Sequence, residues 1–189
     1  MSRSLIITNF ILFQAGWLAC VAGGAHQMGV AGSLFALLVA ALHLWRAADR
    51  VAELSLLAIA LLIGFCLESA MVLSGLAVFS DGMLFGQLAP HWMLMMWVLF
   101  ATTLNVSMSW VKSLHPGWVA LLGGVLAPLS YLAGSRLGAV VFPEPLVSLT
   151  VIGLSWAVLF PLLVRAAKHF NGYGDVSGGD RTSWRSVNV

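Results

Sequence analysis

Long apolar runs separated by short polar loops dominate the pattern of this chain. A transmembrane α-helix needs about 20 mostly apolar residues, and six runs meet that length. They cover residues 5–23, 28–46, 54–79, 91–111, 117–135 and 145–165. The pattern therefore predicts an all-α fold, a polytopic membrane bundle of six transmembrane helices. Gly123, Gly124 and Pro128 weaken the fifth run, but membrane helices tolerate them where neighbours satisfy the freed backbone groups.

The two ends of the chain differ in character. Asn9 and Gln14 interrupt the first run, which favours an uncleaved helix over a cleaved signal peptide. The last residues, NGYGDVSGGDRTSWRSVNV, are polar and rich in glycine. Such a segment buries too little apolar surface to offset its ordering entropy. We therefore predict a six-helix transmembrane domain over residues 1–168 and a flexible cytoplasmic tail over 169–189.

Composition supports a membrane location. Of the 189 residues, 60% are hydrophobic and 8% are charged, whereas a soluble domain carries roughly 25% charged residues. The net charge of +2 is too small to predict nucleic-acid binding. The expected partners are membrane lipids and a hydrophobic ligand, and the sequence leaves open whether the protein forms a homo-oligomer.

Basic residues predict the orientation, because cytoplasmic loops of membrane proteins are rich in Lys and Arg. If the N-terminus is cytoplasmic, eight of the nine basic residues lie on the cytoplasmic side. They are Arg3, Arg46, Arg50, Lys112, Arg165, Lys168, Arg181 and Arg185. Arg136 alone falls near the outer face. We therefore expect both termini to be cytoplasmic.

Glu68 is the most informative residue, because a carboxylate inside a bilayer is costly and normally faces the bundle or a wet cavity. It lies roughly 20 Å into a hydrocarbon core about 30 Å thick. Gly64 and Gly75 share its predicted helix face, so a neighbouring helix can approach closely. Glu68 is either held neutral by loss of hydration or paired with a cation.

The fifth run offers partners for Glu68. Tyr131 and Ser130 lie at a similar depth, and Arg136 is the cation nearest to the same outer level. We expect Glu68 to face the bundle and to contact Arg136 or Tyr131. A purely structural salt bridge or hydrogen bond between helices is the alternative.

A second polar set lies toward the cytoplasmic side. Thr102, Asn105 and Ser109 are spaced to form one stripe on the fourth helix, and Asn9 and His43 reach a comparable depth. Hydrogen bonds between helices are the favoured interpretation of this set. A ligand-binding role is the alternative, with Asn9, Gln14, Asn105 and Ser130 as the candidate residues.

Several catalytic signatures are missing from the sequence. It contains no HExxH motif, no His-rich box and no glycine-rich phosphate loop. No metal site is therefore predicted, and no cofactor is identified.

Three functions remain open. The bundle could bind or modify a lipid or another hydrophobic molecule, with Glu68, Tyr131 and Arg136 as candidate catalytic residues. It could instead conduct a small solute or protons, or serve as a scaffold. A lateral opening would favour the lipid function, a continuous polar track would favour transport, and a filled interior would favour the scaffold.

Three segments carry a family resemblance: NFILFQAGWLACV, FATTLNVSMSW and PLSYLAGSRLGAVVF. With the six-helix layout, they resemble a family of bacterial inner-membrane proteins, domain-of-unknown-function family 2878, over roughly residues 8–165. The resemblance implies a location in the bacterial inner membrane. It implies no activity, cofactor or catalytic residue.

Overall fold

The structure is a computed structural model that describes residues 2–174. This part of the chain folds into six α-helices, one for each predicted run. They are α1 (Arg3–Ala25), α2 (Gly29–Arg46), α3 (Arg50–Leu73), α4 (His91–Leu104), α5 (Pro116–Arg136) and α6 (Pro145–His169). Five of them are long and apolar enough to cross a membrane. The fold is therefore that of a multi-pass membrane protein.

Helix α3 begins and ends earlier than the hydrophobic run suggested. The Asp49 side chain accepts hydrogen bonds from the N–H groups of Val51 and Ala52, both at 3.0 Å, and so starts the helix at Arg50. Gly75 adopts a left-handed φ of 72° and ends it. The predicted extension of this helix to residue 79 is therefore wrong, and Gly75 lies beyond the helix face that carries Glu68.

Helix α4 has 14 residues and ends at Leu104, so the predicted helix over 91–111 is too long. A turn follows it, and then a 3₁₀-helix over Ser109–Ser113. The side chains of Asn105 and Ser107 turn inward here to bond other elements. Ser109 is consequently not on one helical stripe with Asn105. Irregular backbone at this depth is tolerated where protein covers it.

Four short strands join the loops at one end of the bundle, which we call the strand end. They are β1 (Val78–Phe79), β2 (Met83–Leu84), β3 (Leu88–Pro90) and β4 (Val140–Val141). β1 pairs antiparallel with β4, and β2 pairs antiparallel with β3. The opposite end carries the α2–α3 loop, the 3₁₀-helix and residues 170–174, and we call it the basic end.

Helix α4 is the centre of the bundle. It packs against α1, α2, α3 and α6, while α5 packs mainly on α6. Trp92, Trp97 and Leu99 of α4 are almost fully buried. Because α5 makes few contacts with α1 or α4, space is left between these three helices.

Glycines let the backbones of α5 and α6 come into direct contact. A Cβ atom on Gly123 would lie 2.5 Å from the carbonyl oxygen of Trp156, and one on Gly153 would lie 3.0 Å from the carbonyl oxygen of Gly124. Small residues are typical of such close contacts between membrane helices. Gly123 therefore packs directly against the backbone of α6, whereas a Cβ atom on Gly134 would meet no atom within 4 Å.

Gly123→Ala tests this close contact. The added methyl group must displace the backbone of α6, and overpacking of this kind costs about 1–3 kcal/mol. We expect a lower midpoint of thermal unfolding in detergent than for wild type. The matched control is Gly134→Ala on the same helix, which should unfold as wild type does. Equal midpoints for the two variants would refute the close contact.

Candidate functional site

Glu68 lies inside the bundle and is fully buried. The Trp97 indole N–H of α4 donates to Glu68 Oε1 at 2.9 Å. The Tyr131 hydroxyl of α5 donates to the same oxygen. The carboxyl group of α3 is thus held by side chains from two other helices, and the expected contact with Tyr131 is present.

Gly64 makes room for the indole that binds Glu68. It lies one turn before Glu68 on the buried face of α3. A Cβ atom there would lie 2.4 Å from the Trp97 ring. Trp97 in turn stacks on Trp156 of α6, with ring centroids 4.6 Å apart and planes inclined by 24°. Because Gly64 has no side chain, there is room for a pair of stacked indoles beside the carboxyl group.

Two buried polar atoms near this site have no hydrogen-bond partner among the described residues. They are Glu68 Oε2 and Trp156 Nε1. Unpaired buried polar groups are rare in folded proteins and call for an explanation. Glu68 also forms no ion pair within residues 2–174, where the only salt bridge joins His43 and Glu53.

An apolar cavity of about 250 Å³ lies beside Tyr131, between α1, α4, α5 and α6. Its lining includes Phe13, Phe100, Leu126, Ser130, Tyr131 and Trp156. Leu126 and Ser130 are exposed on the surface of the bundle, so the cavity reaches that surface. A smaller cavity of about 80 Å³ shares Tyr131 and Trp156 and extends to Trp97.

A second buried carboxyl group, Glu53, organises the basic end. His43 Nε2 donates to its Oε2 at 2.7 Å. Asn105 Nδ2 donates to its Oε1 at 2.6 Å, and the Gly172 N–H donates to the same oxygen at 2.8 Å. Both oxygens of Glu53 therefore accept hydrogen bonds, whereas only Oε1 of Glu68 does.

Residues 170–174 close the basic end over Glu53. The Gly172 carbonyl accepts from the N–H groups of Ala48 and Asp49, and a Cβ atom on Gly172 would lie 2.1 Å from the Asp49 carbonyl oxygen. The Tyr173 hydroxyl donates to the His43 carbonyl at 2.5 Å. Burial, followed by the nearby charge of Glu53, raises the pKa of Tyr173 to about 12. This segment is packed against the helices, and residues 175–189 of the predicted tail lie outside the described residues.

Lys112 adds a cation to the basic-end cluster. Its Nζ donates to Asn105 Oδ1. Burial lowers the pKa of Lys112, and the nearby charge of Glu53 acts in the opposite sense. The Asn105 amide is thereby bonded on both sides, because its Nδ2 also donates to the Phe170 carbonyl at 2.8 Å.

The structure separates the residues that the sequence grouped as ligand-binding candidates. Asn9 bonds the Thr102 carbonyl and the Ser107 hydroxyl, and Asn105 belongs to the Glu53 cluster. Gln14 is exposed on α1. Ser130 lines the cavity and accepts a hydrogen bond from the Trp17 indole at 3.2 Å. Of this group, Ser130 alone lies beside Tyr131.

The expected pairing of Arg136 with Glu68 is wrong. Arg136 is exposed at the last turn of α5, whereas Glu68 is fully buried. The neutral donors of Trp97 and Tyr131 occupy Glu68 Oε1 instead. Moving an arginine to this depth would cost desolvation energy that these two hydrogen bonds avoid.

Comparison with known proteins places the chain in a family. The family model described as protein of unknown function, DUF2878, matches residues 6–162, which is most of the chain. The protein belongs to the DUF2878 family. No curated protein and no solved structure matches it.

The DUF2878 match contains the whole Glu68 site. Glu68, Trp97, Tyr131 and Trp156 all fall within residues 6–162. Residues 170–174, which cover Glu53, lie beyond it. The Glu68 site is therefore built from the matched region alone, whereas the basic-end cluster also uses chain outside it.

Three residues of these sites were not predicted from the sequence. Glu53 precedes the predicted start of the third helix at residue 54, so the hydrophobic pattern places it in a loop. Trp97 and Trp156 count as apolar residues of their runs. The signal that points to Trp97 is Gly64, because a glycine one turn from a buried acid leaves room for a large ring on that face.

No metal site is evident in residues 2–174. Within that range, no group of three or more His, Cys, Asp or Glu side chains is placed to hold a metal ion.

Glu53→Ala tests the structural role of the basic-end cluster. The substitution leaves His43, Asn105 and the Gly172 N–H without their shared acceptor, and breaking a buried pair costs about 3–5 kcal/mol. We expect a lower unfolding midpoint and faster chymotrypsin cleavage at Tyr173. Glu144→Ala, which alters an exposed glutamate, is the control and should change neither quantity. Wild-type stability and cleavage in Glu53→Ala would contradict the assignment.

Proposed function

We propose that this protein binds or modifies a lipid or another hydrophobic small molecule in the cavity beside Tyr131. The observation that carries the proposal is the contact of Tyr131 with the buried Glu68, because Tyr131 also lines the apolar cavity. A ligand in that cavity would meet apolar walls over its body and Tyr131, which bonds Glu68, at one side. This combination is typical of small-molecule sites.

The shape of the cavity favours entry from the bilayer. Its walls come from α1, α4, α5 and α6 and reach the exposed residues Leu126 and Ser130. Its volume of about 250 Å³ is close to the lower limit of ligand pockets, roughly 300 Å³. A wider groove of about 570 Å³ lies between α3 and α6, but its polar lining is limited to Cys66 and Ser155.

We propose that Glu68 is protonated in the resting protein. It is fully buried and forms no ion pair in the described chain. An isolated ionised carboxylate in apolar surroundings costs far more free energy than its hydrogen bonds return. A neutral Glu68 can pass its proton to the Tyr131 oxygen as the Tyr131 hydroxyl passes its own proton to the ligand, which leaves Glu68 as a carboxylate. Tyr131 would then be the acid or base that meets the ligand, and Glu68 would act through it.

The interior gives less support to transport. On the buried face of α3, the residues between Glu53 and Glu68 are Leu56, Leu57, Ala60 and Gly64. They form an apolar layer that separates the two carboxyl groups, which lie about 22 Å apart along the helix at 1.5 Å per residue. A polar track along α3 is therefore interrupted, which argues against transport. The cavity argues against a scaffold with a filled interior.

We also propose that the protein lies in the bacterial inner membrane with its basic end in the cytoplasm. Arg46, Arg50, Lys112, Arg165 and Lys168 lie at or near the basic end, and positively charged loops favour the cytoplasmic side. In this arrangement α4, about 21 Å long, completes its crossing through the turns at its two ends. Glu68 then lies in the outer half of the membrane, and the cavity lies near the middle of the bundle, with Met108 and Phe160 on its basic side.

Filling the cavity tests the proposed function. Ala127 lines the cavity, so Ala127→Phe should occupy it. We expect native mass spectrometry of purified wild-type protein to show a co-purified hydrophobic molecule, and Ala127→Phe to lose it. Leu129→Phe is the matched control, because Leu129 is 56% exposed on the same helix and does not line the cavity.

A second variant keeps the test valid if Ala127→Phe does not fold. Leu126 is 53% exposed at the mouth of the cavity, so Leu126→Trp narrows the entrance without disturbing buried packing. It should also lose the co-purified molecule. If both variants retain it, or if the wild-type protein carries none, the cavity is not a binding site.

Reporter fusions test the orientation. A reporter after Val189 should behave as cytoplasmic, and one inserted near Gly82, in the loop between β1 and β2, should behave as periplasmic. Both outcomes follow from the charge distribution between the two ends. The opposite result at either position would overturn the proposed topology.

A further inference from the structure

Ser33 and His91 meet at the strand end of the bundle, apart from the cavity beside Tyr131. Ser33 Oγ of α2 lies 2.8 Å from Nδ1 of His91, the first residue of α4. Both residues are half-buried and therefore partly accessible, and neither lines that cavity. A hydroxyl within hydrogen-bond reach of an imidazole is the geometry of a nucleophile and its base. The sequence does not reveal this pair, because 58 positions separate the two residues.

The hydrogen bond of Ser33 differs from those of other helix hydroxyls. Ser55 and Thr150 each donate to a carbonyl group one turn earlier in their own helix, a common bond for hydroxyls in helices. Ser33 Oγ instead contacts a ring on another helix. Its partner is an imidazole, a side chain that takes up and releases protons near neutral pH.

The loop between β1 and β2 holds the His91 ring in position. The His91 N–H donates to the Gly82 carbonyl at 2.9 Å. A Cβ atom on Gly82 would lie 3.0 Å from His91 Nε2, so this glycine lets the loop pass close to the ring. Asp81 fastens the loop, because its Oδ2 accepts from the Gly29 N–H and its carbonyl accepts from the Trp92 indole, both at 2.9 Å. Such support keeps a base aligned with its nucleophile.

The surroundings of Ser33 favour a substrate that arrives from the lipid. Val30 and Leu34, its neighbours on α2, are 62% and 56% exposed. Ser33 lies about 6 Å along the axis from the start of α2, which is close to the boundary between the hydrocarbon core and the headgroup region. A hydrocarbon chain can therefore lie against these apolar side chains while a polar group at its end reaches Ser33.

We propose that Ser33 and His91 form a catalytic site that transfers the acyl group of a carboxylic ester. With the ring proton on Nε2, Nδ1 accepts from the Ser33 hydroxyl. Ser33 Oγ attacks the carbonyl carbon and its proton passes to Nδ1, which gives that proton to the alcohol oxygen as the ester C–O bond breaks. The acyl group is then an ester on Ser33. Water or a second alcohol attacks this ester, and its proton passes through Nδ1 to the Ser33 oxygen.

Two reagents test this site in the full-length protein in detergent. An alkyl fluorophosphonate should form a P–O bond to Ser33 with loss of fluoride, and peptide mass spectrometry locates the adduct. p-Nitrophenyl decanoate should acylate Ser33 and release p-nitrophenolate, which absorbance measures. The fluorophosphonate reports on the nucleophile, and the ester reports on the reaction class.

Two variants assign the roles, each with a matched control. Ser33→Ala should abolish both reactions. His91→Asn should slow them about 100-fold or more, because an amide can keep a hydrogen bond to Ser33 but cannot take its proton. The controls are Ser74→Ala, which removes an exposed hydroxyl that bonds the Ala70 carbonyl, and His26→Asn, which changes an exposed histidine. Both controls should react as wild type does.

The adduct is located in the unaltered protein, so the test stands even if His91→Asn does not fold. The proposal is overturned if no adduct forms, if the adduct is on another residue, or if no p-nitrophenolate is released. It is also overturned if Ser33→Ala or folded His91→Asn reacts as wild type does. None of these measurements depends on the cavity beside Tyr131, so failure here leaves the proposed function intact.

Discussion

The need to satisfy two buried carboxyl groups on one helix determines how this bundle is assembled. Glu53 and Glu68 lie on the same buried face of α3, about 22 Å apart along its axis. Glu53 bonds α2 and the segments that follow α4 and α6, and Glu68 bonds α4 and α5. In an apolar medium, a polar group left without a partner is expensive. Helix α3 therefore specifies the position of its neighbours near both ends.

The two carboxyl groups differ in how completely they are satisfied. Glu53 receives three donors shared over both oxygens, and residues 170–174 cover it. Glu68 receives two donors on one oxygen and leaves the other unbonded beside the stacked indoles. Full satisfaction is what a structural clamp requires, whereas Glu68 keeps one unbonded oxygen and bonds Tyr131, a residue of the cavity wall. This difference is why Glu68, rather than Glu53, is the candidate site.

The hydrophobic pattern predicts the helices well, because the length and apolarity of a membrane helix are set by the bilayer. The ends of α1, α2 and α5 fall within two residues of the predicted positions. Helix α4 departs from the pattern because hydropathy cannot show that Asn105 turns inward to bond Glu53. The pattern likewise extends the third run past Gly75, where a left-handed turn ends the helix.

The depth of each residue along its helix predicts only part of the candidate site. Depth placed Tyr131 level with Glu68, and the two are in contact. Depth also suggested Arg136, but it ignores the cost of burying a charged guanidinium when neutral donors are available. The same reasoning does not identify Trp97, because hydropathy counts an indole as apolar and ignores the hydrogen bond that its N–H can donate.

The stacked indoles connect the acid to the cavity. Trp97 bonds Glu68 on one side and stacks on Trp156 on the other, and Trp156 forms part of the cavity wall. Gly64 allows this arrangement by leaving space for the Trp97 ring. A ligand that moved Trp156 or Tyr131 would therefore alter the hydrogen bonding of Glu68 without touching it. Glu68 thus responds to occupancy of the cavity while staying shielded from lipid, since the same aromatic wall both encloses the acid and contacts the ligand.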